Sequence, residues 1–417
     1  MHDKYRWIFG LGLGLVWVFA ALGCDADSGR GLPSYDDGYD DYNNNNANSG
    51  NNDIGNNNNA NNNNSNNNNN AYDTGSVPPP VNNDDVVVVT SGVVGRHGTL
   101  QARNGKIIDK NGQVAQLRGL SMFWSNWAEG RIFYTPGVVQ TLANTWHAGA
   151  VRAALAVGPE ANGYASDNAG VKQLNLERVE TIIDAAIQQN IYVLVDFHTH
   201  FADEYIHLAH EFFGHISQKY GRYPHIIYEI WNEPLLNGAT SANKLSPDNP
   251  NGWTQIIKPY AEQVIATIRQ NDSRNLVLVG TRDWSKRVDE VIGNEVQDVN
   301  VAYVQHYYIG LHDILERNWG QAAIDAGIPV FISEWGLAID AYIDKNLGSG
   351  VRPEAYNIWP SYIRDNQLCS IAWSVTHKNE PSATLAPTAA QKPDGNWTSA
   401  DVLGWGQWLQ SFNAEMH

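Results

Sequence analysis

The chain has 417 residues and a formal charge of −17 at pH 7, from 44 acidic and 27 basic side chains. That balance argues against a nucleic-acid partner, whose phosphates require a basic surface, and suits an uncharged ligand. Only Cys24 and Cys369 are present, which excludes a disulfide framework once Cys24 is removed or modified.

Residues 1–24 read as an export signal: Lys4 and Arg6 precede an apolar run from Ile8 to Leu22 that is short for a bilayer span. Ala21-Leu22-Gly23-Cys24 resembles a bacterial lipobox, so Cys24 is the predicted lipidation site; a plain secretory signal is the alternative. In residues 25–90 Asp and Tyr dominate first, Asn dominates next, and Pro78-Pro79-Pro80 closes the tract. Such a composition buries too little apolar surface to offset its ordering entropy. It is expected to be a disordered linker, with an Asn-rich assembly segment as the rival. Val86–Val89 fits either an edge strand or the end of this tail.

Residues 91–417 alternate short apolar strands with amphipathic stretches, the pattern of one α/β domain, a (β/α)8 TIM barrel. Thr99–Gln116, with turns at Asn104-Gly105 and Asn111-Gly112, predicts a small N-terminal β-hairpin that closes the barrel floor. Eight strands are predicted to start near Gln116, Ala150, Tyr192, His225, Leu276, Val301, Val330 and Ser370. Helical patterns lie between them, including Leu176–Gln189 and Pro259–Gln270. Cys369 lies in the apolar approach to the last strand and is expected to be an inert buried thiol.

Two of these strands end alike. Ile226-Ile227-Tyr228-Glu229-Ile230-Trp231 runs into Asn232-Glu233-Pro234, and Val330-Phe331-Ile332-Ser333 runs into Glu334-Trp335-Gly336. Proline lacks an N–H and pushes Glu233 into an extended conformation, so strand pairing stops there. Both glutamates then stand at the C-terminal mouth, where a β/α barrel places its chemistry. One protonated and one ionised carboxyl form the pair that cleaves a glycosidic bond. Flat aromatic faces also stack well on pyranose rings, although core packing accounts for most of the 15 tryptophans and 19 tyrosines. The structural alternatives are a helix N-terminus at Asn232-Glu233 and ordinary salt bridges at strand ends.

Together these motifs resemble those of glycoside hydrolase family 5, the cellulases, and most closely its bacterial subfamily 2 endoglucanases. The likeness runs from about Gly92 to Phe412 and includes Leu117-Arg118-Gly119-Leu120-Ser121, Val151-Arg152-Ala153-Ala154-Leu155, Val279-Gly280-Thr281 with Trp284, Gln305-His306-Tyr307-Tyr308, and Ala372-Trp373 followed by Lys378 and Glu380. The resemblance implies Glu233 as general acid/base, with a raised pKa, and Glu334 as nucleophile. It implies that Arg152 and Tyr308 hold the nucleophile ionised, Asn232 binds the substrate 2-hydroxyl, and His306 contacts substrate or acid/base. It further implies His198, Trp127, Trp284, Trp373, Lys378 and Glu380 as substrate-binding residues. The chain departs from the pattern at Phe123, where many relatives carry histidine, at Ala156, where tyrosine is frequent, and in a shorter loop after His200.

His198 and His200, two apart on one strand face, raise a metal alternative of the amidohydrolase kind. No further histidine–aspartate set stands at later strand ends, and no metal is expected. His207, His210, Glu211 and His215 lack the four-residue histidine spacing of zinc proteases and are expected on a solvated helix. The expectation is therefore an exported, lipid-anchored, monomeric retaining endo-β-1,4-glucanase that acts on a β-glucan polysaccharide without a cofactor. Three rivals stand beside it: the same chemistry on mannan, xyloglucan or mixed-linkage glucan, a catalytically silent carbohydrate-binding barrel, and the metal-dependent hydrolase.

Overall fold

The computed structural model describes residues 86–158, 162–235, 251–312, 314–338 and 353–416; the predicted signal, Cys24 and the Asn-rich tract lie outside the described residues. Val86–Val89 forms no strand, although the Val87 N–H donates to the Arg222 carbonyl at 3.0 Å.

The expected hairpin is present as β1 (Gln101–Arg103) and β2 (Lys106–Ile108), paired antiparallel. Asn104 and Gly105 turn between them with φ of 50° and 72°, the conformation that favours Asn-Gly in a two-residue loop. Leu100, Ile107 and Ala115 join the apolar cluster that fills the lower barrel interior. Asn300 pins the hairpin there, accepting from the Ala102 N–H at 2.7 Å and donating to the Leu100 carbonyl at 2.9 Å.

Eight parallel strands close into a barrel in sequence order. They are β3 (Arg118–Met122), β4 (Ala150–Ala156), β5 (Tyr192–His198), β6 (Ile226–Glu229), β7 (Val277–Val279), β8 (Val301–Ile309), β9 (Val330–Leu337) and β10 (Ser370–Val375), each starting within two residues of its predicted start. The helix over Ala169–Gln189 begins earlier than its pattern predicts, because the Asn168 side chain accepts from the Gly170 N–H at 2.9 Å. The helix at Lys258–Arg269 continues a five-residue π-helical turn, Trp253–Ile257.

Alternation along the strands sorts residues between two cores. Val151, Ala153 and Leu155 pack outward in the cluster that includes the helices, whereas Ala150, Leu194, Ile227, Val304 and Phe331 share the inner cluster. Two residues further along the same five strands stand Arg152, Asp196, Glu229, His306 and Ser333, all fully or almost fully buried. The interior thus changes from apolar to polar within one layer as it approaches the C-terminal mouth. Strand β9 breaks the alternation once. Val304 pairs with Phe331 but His306 with Glu334, and Ser370 with Ile332 but Ala372 with Trp335. Both neighbouring strands therefore register one extra residue in β9, a bulge that turns the successive residues Ser333 and Glu334 toward the interior.

Candidate active site

Beyond β6 the backbone remains extended, and the Ile230 N–H still donates to the Leu278 carbonyl at 3.1 Å. Pro234 then ends the pairing and leaves Asn232 buried and Glu233 only 13 % exposed at the lip. The end of β7 approaches this lip so closely that a Cβ on Gly280 would sit 2.1 Å from the Trp231 carbonyl oxygen. In the turn after β7, Asp283, Trp284 and Ser285 have φ of 60°, 55° and 57°, a strained left-handed run for non-glycine residues. The run brings the Ser285 hydroxyl to donate to the Asn232 carbonyl at 2.7 Å.

Arg152 organises the polar layer. Its Nε and Nη2 donate to the two Glu229 oxygens at 2.7 and 3.1 Å, and Nη1 donates to Glu334 Oε2 at 2.9 Å. Nη2 also donates to Asn232 Oδ1 at 2.6 Å and lies 2.9 Å from Asp196 Oδ2. Three surrounding strands, β5, β6 and β9, are thereby referenced to one planar group. The other oxygen of Glu334 accepts from the Tyr308 hydroxyl at 2.7 Å.

Imidazoles surround the facing carboxylate. Glu233 Oε1 lies 3.1 Å from His306 Nδ1, and Oε2 lies 3.1 Å from His200 Nε2. His306 is fixed from behind, with Nε2 2.9 Å from the Ser333 hydroxyl, which itself donates to Glu229 at 2.7 Å. An oxygen of Glu233, a nitrogen of His306 and an oxygen of Glu334 all lie within 4.8 Å of one another. Such a set has the spacing of metal ligands. However, the Arg152 guanidinium bonded to Glu334 opposes a cation there, and the arrangement suits proton sharing.

The electrostatics correct one expectation. Burial raises the Glu233 carboxyl, but hydrogen bonds from His200 and His306 outweigh it and hold the group well below the usual carboxylate range. Burial and the Glu233 charge push Glu334 up, against His306, Arg152 and Tyr308. Burial opposes a charged His306, yet its bonds to Glu229 and Glu233 push it up to about 9. These shifts favour the proton expected on Glu233 lying on the imidazole beside it. Moving that proton to Glu233 cancels the charge that raises Glu334 and leaves Arg152 and Tyr308 to hold Glu334 ionised.

The remaining predicted residues separate into two groups. His198 is joined to the site through Asp196, 2.6 Å from its Nδ1, and stacks on Trp373 with centroids 5.2 Å apart. Burial, then the Arg152 charge, keeps it neutral. Trp373 is only 6 % exposed, wedged between His198 and Phe123, and hydrogen-bonds Glu380. Lys378 lies 3.6 Å from Glu380 and over the rings of Phe123 and Trp127, at 5.3 and 5.1 Å, so these residues form one wall. Phe123 thus gives Lys378 an aromatic seat. Trp284 stands apart, half-buried beneath Lys286 at 5.3 Å. His207, His210, Glu211 and His215 lie on the helix Ile206–Tyr220; His210 meets Thr267, His215 meets Glu180, and Glu211 pairs with Lys172.

Sequence reasoning missed Glu229, Asp196 and Ser333 as members of the site, and it weighed His200 only as a metal ligand. The inward parity of Glu229 and Asp196 with Arg152 is the signal that would have found them. The β9 bulge behind Ser333 and Glu334 leaves no such signal.

A model of the cellulase family, glycosyl hydrolase family 5, matches residues 108–379. Endoglucanase Z of Dickeya dadantii is 36 % identical over 305 residues, 72 % of this chain and 66 % of its own length. Endoglucanase A of Evansella cellulosilytica is 35 % identical over 302 residues, covering 72 % and 56 %. The chain therefore spans less than two thirds of these two relatives. Among solved structures, one from Cytophaga hutchinsonii is 32 % identical with a TM-score of 0.68, covering 78 % of this chain and 97 % of that one. A catalytic domain of Thermobifida fusca endoglucanase Cel5A, in complex with cellotetraose, is 25 % identical with a TM-score of 0.65, covering 78 % and 100 %.

Proposed function

Because this chain belongs to the cellulase family, glycosyl hydrolase family 5, we propose that it is a retaining endo-β-1,4-glucanase that cuts internal bonds of a β-glucan polymer. The observation that carries the reading is the approach of the two carboxylates. Oxygens of Glu233 and Glu334 come within 4.8 Å, in keeping with the roughly 5–5.5 Å between carboxyl groups that direct attack requires and short of the roughly 6.5–9.5 Å of enzymes that invert. The related endoglucanases and the cellotetraose-bound catalytic domain support the substrate class.

In the first half of the reaction a Glu334 oxygen bonds to the anomeric carbon as the glycosidic bond breaks. Glu233, reloaded from His306, gives its proton to the departing oxygen. In the second half, water attacks the same carbon and its proton returns to Glu233, while the ester to Glu334 breaks. Asn232, fixed by Arg152 and Ser285, presents its side chain for the 2-hydroxyl. These steps require no cofactor.

The proposal includes a monomeric enzyme, exported and held to a membrane only through lipid on Cys24. The lipobox resemblance and the Asn-rich tract support that placement. Reducing-sugar release from carboxymethyl cellulose, mannan and xylan tests the chemistry, with Glu233→Gln and Glu334→Gln beside the wild type. Activity on the cellulose derivative that both substitutions abolish is the expected result. Activity confined to mannan or xylan would replace the substrate, and activity surviving Glu334→Gln would overturn the mechanism.

A further inference from the structure

Each oxygen of Glu233 is held by a different histidine, and the two histidines are not equivalent. His306 is 1 % exposed and fixed through both nitrogens. His200 is 17 % exposed and approaches from the mouth, past the end of β5. Its ring meets Trp124 and Phe201 edge-on, at 6.2 and 5.8 Å. The backbone secures the same contact: the Leu235 N–H donates to the His200 carbonyl at 2.8 Å, and the Glu233 N–H to the Thr199 carbonyl at 3.5 Å. The loops after β5 and β6 are therefore joined on both sides of the His200–Glu233 pair. His198, two residues earlier, turns instead onto Asp196 and Trp373, so the two histidines serve different partners.

We propose that His200 is a positioning residue for the acid/base Glu233, holding its mouth-facing oxygen in line with the departing sugar oxygen. The proposal rests on the glucanase reading above and adds a group to it. His306 alone fixes only one oxygen, and the carboxyl remains free to rotate about its last bond. His200 stops that rotation. It also stabilises the ionised form of Glu233, so its loss makes Glu233 release its proton less readily. The other ionisable groups facing the pair are His306 and Tyr308 from β8, Glu334 from β9, Asp196 and His198 from β5, Arg152 from β4, and His312 beyond β8. None of these touches Oε2 in place of His200 among the described contacts.

The test compares wild type, His200→Ala and His200→Gln in the full chain, on carboxymethyl cellulose and on 2,4-dinitrophenyl β-cellobioside. The dinitrophenolate leaves without a proton, so only the polymer requires a well-placed acid. In His200→Ala, kcat on the polymer is expected to fall about tenfold with KM within about threefold, while kcat/KM for the aryl glycoside changes less than about threefold. The alkaline limb of polymer kcat/KM, set by the proton that Glu233 and His306 share, is expected to move up by about one pH unit. His200→Gln, which keeps an N–H donor at the same reach, is expected to recover most of the lost kcat. Equal losses on both substrates, or an alkaline limb left in place, would overturn the proposal and leave His200 a structural residue. Full polymer activity in Glu233→Gln would instead overturn the glucanase reading, and the proposal with it.

Discussion

Arg152 donates to Glu334 at 2.9 Å while the same guanidinium donates to Glu229 at 2.7 Å. One buried cation is thus clamped between the proposed nucleophile and a carboxylate that has no part in the proposed reaction. Glu229 is fully buried, and burial alone would raise its pKa; Arg152 and His306 outweigh that and hold it at about 2. The clamp explains how a flexible side chain presents a donor to Glu334 in one orientation.

Glu229→Gln removes the clamp without changing the volume of the site. Breaking a buried pair from one side costs about 3–5 kcal/mol, because the remaining charge stays desolvated. A lower melting temperature and a kcat reduced at least tenfold are expected, measured by thermal denaturation and polymer hydrolysis. Glu229 has a lowered folded pKa, so its stabilisation is present above the unfolded value near 4.5 and is lost as pH falls toward 2. The variant should therefore lose less stability across that acid range than the wild type.

Tyr308→Phe removes the donor 2.7 Å from the other Glu334 oxygen. A hydrogen bond to a charged group contributes about 1.5–3 kcal/mol, so kcat/KM should fall roughly 10- to 150-fold. The bond favours the ionised nucleophile, and its loss should move the acidic limb of the pH–rate profile to higher pH. An acidic limb that stays in place would mean that Arg152 alone holds the nucleophile ionised.

The barrel was legible because strand periodicity, the prolines and the Asn-Gly turn are local signals, and all eight strands start close to where those signals place them. Glu233 and Glu334 were legible for a related reason: each is a polar residue that follows an apolar run, whereas Arg152 stands inside one, between Val151 and Ala153 in β4. Glu229 was harder to recognise, since it lies inside a strand and only its parity with the apolar inward positions, Ile227 two residues before it, marks it as facing inward. The companionship of Ser333 and Glu334 depends on the extra residue in β9, and strict alternation would have turned one of them outward. The order of protonation was not legible at all. It follows from two imidazoles on different strands meeting one carboxylate, which no single stretch of sequence records.

Gly280→Ala tests how rigidly the lip must be placed. The added Cβ would lie 2.1 Å from the Trp231 carbonyl oxygen and 3.0 Å from Pro234 Cδ, so backbone must move rather than a side-chain tip. Since Trp231 directly precedes Asn232 and Glu233, a shift of about 1 Å there is expected to lower kcat by about 10²-fold. The melting temperature should also fall, as in other overpacked sites. Retention of full activity would show that the lip tolerates displacement.

His306 provides the sharpest pH signature. Its folded pKa is raised to about 9 by Glu229 and Glu233, against burial, from an ordinary value near 6.5. A raised basic group contributes stability that is complete below about pH 6.5 and is lost as pH climbs through 9. Wild-type unfolding free energy, measured by urea titration, should therefore decline between those values, and His306→Gln should flatten the decline. The same ionisation removes the proton that reloads Glu233, so polymer hydrolysis should fail over the same alkaline interval. Hydrolysis of 2,4-dinitrophenyl β-cellobioside needs no proton for its first step, and its kcat/KM should persist there. Stability and polymer hydrolysis that both stay level to pH 9 would place the resting proton elsewhere than on His306.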